Sequence, residues 1–101
     1  MGAGRPTVPA VAEYLLELYV SRASGGSFGR GLERARAAAE QLTLEGTPVR
    51  YVRGIFVPED ETCFFLYEAG SAEAARLAAE RAGLAVERIS EAVSESRGAT
   101  G

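Results

Sequence analysis

Apolar side chains alternate with other residues early in the chain and then recur at helical spacing. Over residues 12–20 the alternation is typical of a strand with one apolar face and one mixed face. The two faces of this strand are Tyr14, Leu16, Leu18 and Val20 on one side, and Leu15, Glu17 and Tyr19 on the other. Over residues 29–44 the apolar positions recur every three or four residues and form one stripe of a helix: Leu32, Ala35, Ala39 and Leu42.

The same two patterns, alternation for strands and a spacing of three or four residues for helices, predict the remaining elements. Further strands are expected over residues 49–57, 62–68 and 86–93, and a second helix over residues 72–82. Pro58 presets one turn dihedral, so residues 58–61 are predicted to form the hairpin turn between the second and third strands.

Serines and glycines mark the ends of the predicted helices. Ser27 and Ser71 precede the two helices, where a hydroxyl can accept a backbone hydrogen bond. Gly46 and Gly83 follow them, where a left-handed residue ends a helix.

The predicted elements follow the order strand, helix, strand, strand, helix, strand. Right-handed crossovers then place the first and third strands in the middle of one antiparallel sheet, with both helices on one face. This is the α+β arrangement of the ferredoxin-like βαββαβ fold. The domain is expected to span residues 11–94, between a disordered N-terminal extension (residues 1–10) and a flexible C-terminal tail (residues 95–101).

The face of the sheet opposite the helices is expected to be apolar. It is predicted to carry side chains from the first and third strands: Leu15, Tyr19, Cys63, Phe65 and Tyr67. A monomer rarely exposes so much contiguous apolar surface to water. The pattern therefore predicts a homodimer in which two sheets pack face to face, as in a dimeric α/β barrel.

Charge and composition exclude several classes of function. A net charge of −3 argues against nucleic acid as a partner, because such domains need a basic surface. No apolar run approaches the roughly 20 residues of a membrane helix, and the N-terminus lacks the apolar segment of a secretory signal. The single cysteine cannot form an internal disulfide, which fits a reducing cytoplasm. A cytoplasmic protein that binds neither nucleic acid nor a membrane is therefore expected.

The chain contains no histidine. Histidine is the usual general base near neutral pH and the commonest metal ligand. The glycine-rich segment 25–31 lacks the Gly-Lys-Ser/Thr ending of phosphate-binding loops and is interpreted as a turn. Cys63 has no histidine to activate it and is interpreted as a buried structural thiol. No catalytic residue, cofactor or metal is predicted.

Five residues form the predicted ligand-binding set. Glu17 and Arg53 interrupt apolar strands, and a carboxylate between two packed sheets needs a counter-charge that Arg53 would supply. Alternatively, both are solvated residues beside a smaller interface. Tyr19, Tyr51 and Tyr67 offer aromatic and hydroxyl groups to a small molecule between the sheets, or simply pack at the interface.

The second half of the chain resembles a known family. The segments Phe-Leu-Tyr-Glu-Ala-Gly (65–70) and Arg-Ala-Gly-Leu (81–84) are similar to those of small bacterial proteins of unknown function that include an actinobacterial nickel-binding protein. The resemblance covers about residues 12–94 and implies a ferredoxin-like fold and a dimer. In the nickel-binding relative, histidines lie on the first strand, in an Ala-Gly-His-Pro turn and on the last strand. At those places this sequence has Tyr19, Val20, Leu84 and Ser90, so a nickel site does not carry over.

Two functions from different classes fit these observations, besides a vestigial metal-binding protein that has lost its ligands. The favoured hypothesis is a non-catalytic homodimeric domain that binds a small molecule or a partner between its sheets. The alternative is a cofactor-independent monooxygenase or isomerase of the dimeric α/β-barrel type, in which Glu17 would act as the base.

Overall fold

The computed structural model describes residues 11–94. The predicted N-terminal extension and C-terminal tail lie outside these residues. Four strands and two helices follow one another: β1 Ala12–Tyr19, α1 Phe28–Leu44, β2 Val49–Val57, β3 Thr62–Ala69, α2 Ala72–Arg81 and β4 Arg88–Ala92. Two short 3₁₀ segments, Arg22–Ser27 and Pro58–Asp60, precede α1 and connect β2 to β3.

The four strands form one antiparallel sheet in the order β2-β3-β1-β4. The first and third strands therefore lie in the middle, as the element order predicts. Both helices pack on one face of this sheet and enclose the core against it. The ferredoxin-like α+β fold is thereby confirmed.

Small helix side chains and large sheet side chains fill the core. The buried stripes of both helices consist mainly of alanines: Ala35, Ala38, Ala39, Ala75, Ala78 and Ala79. Because alanine is short, the bulk of the core comes from the sheet, where Phe65 and Tyr67 are almost completely buried. Neither helix of the described chain has the length and apolarity that crossing a membrane would require.

One predicted helix cap is confirmed and the other is wrong. The Ala74 N–H donates to Ser71 Oγ at 3.1 Å, and Ser71 is extended immediately before α2. Ser27 does not cap α1, because its backbone is already helical and its hydroxyl donates to the Ser24 carbonyl at 2.8 Å. The 3₁₀ segment runs directly into α1, which leaves no extended residue to cap it. Gly83 follows α2 with a left-handed φ of +79°, as predicted.

The pairing of β1 with β3 decides which side chains of β3 face the helices. Leu18, which is buried beneath the helices, lies directly opposite Cys63. Residues directly opposite each other share a face, so Cys63, Phe65 and Tyr67 are also buried beneath the helices. Their predicted place on the opposite face is therefore wrong. Strand β3 is apolar on both faces, so its alternation does not determine its orientation, and a shift of one residue exchanges the faces.

A β-bulge exchanges the two faces of β2. The register with β3 shifts between Tyr51 and Arg53, which leaves Val52 as the extra residue. Before the bulge, odd-numbered residues face the helices. After it, even-numbered residues such as Gly54 and Phe56 do, and Arg53 turns to the other side.

Candidate functional site

The face of the sheet turned away from the helices is called the open face below. Its apolar side chains come from three strands: Leu15, Ile55, Val57, Phe64 and Leu66. Polar and charged side chains surround them, among which Arg50 and Glu68 form an ion pair: Glu13, Glu17, Tyr19, Arg50, Arg53, Thr62, Glu68, Arg88 and Ser90. The apolar members are cross-strand neighbours, since Leu66 lies opposite Leu15 and Phe64 opposite Ile55. They form one continuous patch.

Glu17 lies in this face, partly buried, between Phe64 on β3 and Arg88 on β4. Arg53 lies on the same face but on β2, with β3 between the two strands. Glu17 and Arg53 do not form an ion pair with each other or with any other residue of the described chain. The cation on the adjacent strand is Arg88, which the sequence pattern did not place beside Glu17.

Tyr19 and Glu61 connect the end of β1 to the turn between β2 and β3. Tyr19 is 59% exposed, and its hydroxyl donates to Glu61 Oε1 at 3.5 Å. The other carboxylate oxygen of Glu61 accepts from the Arg22 N–H at 3.0 Å. Glu61 also adopts a left-handed φ of +50°, which is uncommon for a residue other than glycine. Sequence reasoning missed Glu61, because its partners are about 40 positions away.

Tyr51 and Tyr67 lie on the helix side of the sheet, away from Glu17 and Arg53. Their rings meet edge to face with centroids 5.8 Å apart, and the Arg36 guanidinium lies 5.4 Å from the centre of the Tyr51 ring. Tyr67 is fully buried, and its hydroxyl has no hydrogen-bond partner within residues 11–94. Burial raises the pKa of Tyr67 well above its ordinary value. The predicted ligand-binding set is thus divided. Glu17, Tyr19 and Arg53 lie on the open face, whereas Tyr51 and Tyr67 lie in the core.

A cavity of about 180 Å³ opens on the helix side of the sheet, near the end of β1. It is called the end cavity below. Its walls come from β1, β3, the start of α1 and the turn after α2, and include Leu18, Phe28, Arg34, Cys63, Phe65 and Leu84. The rings of Phe28 and Phe65 meet edge to face, with centroids 6.4 Å apart and planes at 90°. Three residues of the glycine-rich segment 25–31 line this cavity: Ser27, Phe28 and Gly31.

Cys63 lines the end cavity and is fully buried. Burial raises the pKa of this thiol to about 12. The group is therefore protonated near neutral pH, where the thiolate is the form that attacks electrophiles and binds metals. This geometry agrees with its interpretation as a buried structural thiol.

Within the residues that the structure describes, no three His, Cys, Asp or Glu side chains are grouped so that they could hold a metal ion. Val20 and Leu84, which stand where the resembling family carries histidines, both line the end cavity, and Tyr19 borders it from the open face at the end of β1. Ser90, which stands at a third such place, lies on the open face opposite Leu15. These positions are therefore divided between the two sides of the sheet.

The element order, the sheet order and the placement of both helices define a ferredoxin-like protein in which no helix or strand of residues 11–94 covers the second face of the sheet. The chain belongs to the family described as nickel responsive protein SCO4226-like, whose model matches residues 22–92. The resemblance seen in the sequence is thereby confirmed.

The crystal structure of SCO4226 from Streptomyces coelicolor A3(2) is similar to this structure, with a TM-score of 0.70 and 20% sequence identity. The match covers 84% of this chain and 100% of that chain. At this level of identity the similarity demonstrates a shared fold. No curated protein matches the sequence.

Proposed function

We propose that this chain is a non-catalytic binding protein that acts as a homodimer, with two open faces packed against each other. The observation that carries the proposal is the continuous apolar patch of the open face. Ile55 is 48% exposed in the single chain, and its neighbours Phe64 and Leu66 are partly exposed. Covering such surface with a second copy is favourable by roughly 25 cal/mol per Å² of apolar area.

The size of the open face suits a dimer that dissociates on dilution. Three strands of eight or nine residues and one of five, spaced about 4.8 Å apart with a rise of about 3.4 Å per residue, give a flat area of roughly 500 Å² per chain. Two such faces bury about 1,000 Å², which is near the lower limit for a specific interface. We therefore expect a reversible dimer with a dissociation constant in the micromolar range.

The charges of Glu17 and Arg53 support the pairing of two copies. Both lie on the open face, carry opposite charges and make no ion pair within the described chain. In an interface with two-fold symmetry every residue occurs twice, so Glu17 of one copy can pair with Arg53 of the other, and the reverse. A paired carboxylate tolerates burial that an isolated one does not. The ligand-binding role predicted for Glu17, Tyr19 and Arg53 belongs to this same space between the sheets.

The family name refers to nickel, but the residues of this chain do not fit a nickel site. The whole sequence lacks histidine, and its one cysteine is a buried, protonated thiol. Oxygen ligands from carboxylates favour hard cations over nickel. The proposed binding role therefore does not depend on a nickel centre.

Sedimentation equilibrium tests the dimer. We expect a mass of about 21 kDa, twice the chain mass of 10.6 kDa, at concentrations above the micromolar range. Ile55→Glu should give a monomer, because it places a charge inside the apolar patch. Leu77→Glu is the matched control, since Leu77 is 41% exposed but lies on α2, away from the open face. A mass of 10.6 kDa for the unmodified chain at its highest soluble concentration would contradict the proposal.

A further inference from the structure

We propose that the end cavity binds a small carboxylic acid with an apolar body, either aromatic or short and branched. The cavity lies on the helix side of the sheet and is lined by residues of one chain. The site therefore goes beyond the proposed dimer and does not require it.

The volume of the end cavity sets the size of the ligand. An apolar protein cavity of about 150 Å³ accommodates benzene. The end cavity, at about 180 Å³, has room for a body of that size with one small substituent. A nucleotide or a sugar phosphate could enter this open cavity only in part.

The inner wall of the end cavity is apolar. Leu18, Phe65 and Leu84 line it together with the protonated thiol of Cys63. Phe28 adds a second aromatic ring, set edge to face against Phe65. Such a wall favours a flat or branched apolar body, because it offers ring faces and methyl groups rather than hydrogen-bonding groups.

Arg34 supplies the charge that selects a carboxylate. Its Nε donates to the Ala82 carbonyl at 2.9 Å, which holds the guanidinium beside the turn after α2. The guanidinium takes part in no ion pair within the region covered by the structure. Its two terminal nitrogens can therefore form the paired hydrogen bonds that arginine makes with carboxylates.

The same charge excludes other classes of ligand. Of the residues that line the end cavity, all within the described chain, Arg34 alone carries a formal charge. A cation would be repelled and would find no carboxylate there. A phosphate dianion would have half of its charge compensated by Arg34, and the Ser27 and Tyr19 hydroxyls at the cavity already donate to the Ser24 carbonyl and to Glu61. A carboxylate monoanion matches the single positive charge.

Benzoate is a suitable probe, with benzamide as a neutral counterpart of the same shape. Titration followed by amide NMR signals should give saturable shifts at residues around the cavity, such as Phe28 and Leu84. Benzoate should bind about three- to fivefold more tightly than benzamide, because only benzoate carries a charge that Arg34 can pair and Arg34 is exposed to solvent.

Two variants separate the charge from the volume. Arg34→Gln keeps a donor for the Ala82 carbonyl but removes the charge, so benzoate should bind about three- to fivefold more weakly while benzamide is unaffected. Gly31→Leu should abolish binding of both compounds by filling the cavity. A β-carbon on Gly31 would lie 3.9 Å from Leu84 Cδ2 and 4.0 Å from Phe65 Cζ, so the added side chain begins at ordinary contact distance.

Controls keep the test independent of folding and of the dimer. Gly29→Leu makes the same change on the same helix, where a β-carbon meets no other atom within 4 Å, and it should bind benzoate normally. If Gly31→Leu does not fold, Gly31→Ala fits at contact distance and should weaken benzoate severalfold. The Ile55→Glu monomer should bind benzoate as the unmodified chain does, which separates failure of this site from failure of the dimer.

Three results would overturn the proposal. The first is the absence of saturable shifts with millimolar benzoate. The second is equal affinity for benzoate and benzamide. The third is benzoate binding that persists in both Arg34→Gln and the folded cavity-filling variant.

Discussion

The hydroxyl of Tyr51 lies beside Gly54, where a β-carbon would stand 3.0 Å from it. Residues three apart on a regular strand lie on opposite faces. Tyr51 and Gly54 share a face because the bulge between Tyr51 and Arg53 shifts the alternation by one residue. Phe28 and Leu32 of α1 also crowd this point, so the glycine gives them and the tyrosine the space that a side chain would fill.

Gly54→Ala should lower the free energy of unfolding by about 1–3 kcal/mol, because the added methyl overlaps Leu32 and presses on Tyr51. The control is Gly29→Ala, where the new methyl meets open space in a helix and should stabilise by about 0.5–1 kcal/mol. Urea unfolding followed by circular dichroism measures both changes. Equal stability of the two variants would show that the side chains around Gly54 move to accommodate the added methyl group.

Tyr67→Phe should raise the free energy of unfolding by about 1–3 kcal/mol. The Tyr67 hydroxyl is buried without a partner within residues 11–94, and leaving such a group unpaired costs about that much. Tyr19→Phe is the control, since its hydroxyl is exposed and makes only a 3.5 Å contact, so its effect should stay within about 0.5 kcal/mol. A destabilised Tyr67→Phe would mean that the hydroxyl has a partner after all, such as a water molecule.

The free energy of unfolding should fall as pH rises from about 9 to about 12, the range between the ordinary and the raised pKa of the Cys63 thiol. Burial raises the pKa of this thiol from 9.0 to about 12, so above about pH 9 the unfolded chain releases a proton that the folded chain keeps. The stability that the protonated thiol contributes is fully present below about pH 9. By about pH 10 the free energy of unfolding has fallen by about 1.4 kcal/mol. Tyr67, whose pKa is also raised by burial, acts in the same direction above its ordinary value of 10.0.

Cys63→Ala isolates the contribution of the thiol. This variant is less stable at neutral pH because it enlarges a cavity, but the gap to the unmodified protein should narrow by about 1.4 kcal/mol between about pH 7 and about pH 10. Urea titrations at the two pH values measure the gap. A constant gap would show that the folded thiol ionises at its ordinary pKa.

Glu17→Arg and Arg53→Glu should each weaken the dimer about tenfold, and the double exchange should restore most of the loss. The reason is that each single variant places like charges opposite each other across a two-fold interface. Sedimentation equilibrium gives the four dissociation constants, and Arg76→Glu on the outer side of α2 serves as a control for net charge. Additive losses in the double variant would mean that the two residues do not face each other.

Elements of the fold were predictable where a few neighbouring residues determine the backbone. Ser71 before α2 and Gly83 after it act through their own hydroxyl and their own dihedral angle. The side of the sheet on which each side chain lies was predictable only for β1, because its apolar and polar residues alternate in a single register. Strand β3 has apolar residues on both faces, and the bulge at Val52 falls on an ordinary strand residue that gives no local signal.

The candidate sites divide in the same way. Glu17 and Tyr19 were assigned to the correct face because β1 was assigned correctly. Tyr51 and Tyr67 were grouped with them because the sequence does not determine which residues of β2 and β3 face the helices. Arg34 was missed entirely, since the end cavity exists only when α1, two strands and the turn after α2 are brought together.

The pairing of β1 with β4 has a consequence for synthesis on the ribosome. Glu17 pairs with Arg88, 71 positions later (88 − 17), so one edge of the central strand stays unpaired until almost the whole described chain has emerged. An unpaired edge next to apolar side chains is a site where nascent chains join one another. We expect chains truncated before residue 88 to require a chaperone or to aggregate, whereas the completed chain closes that edge itself.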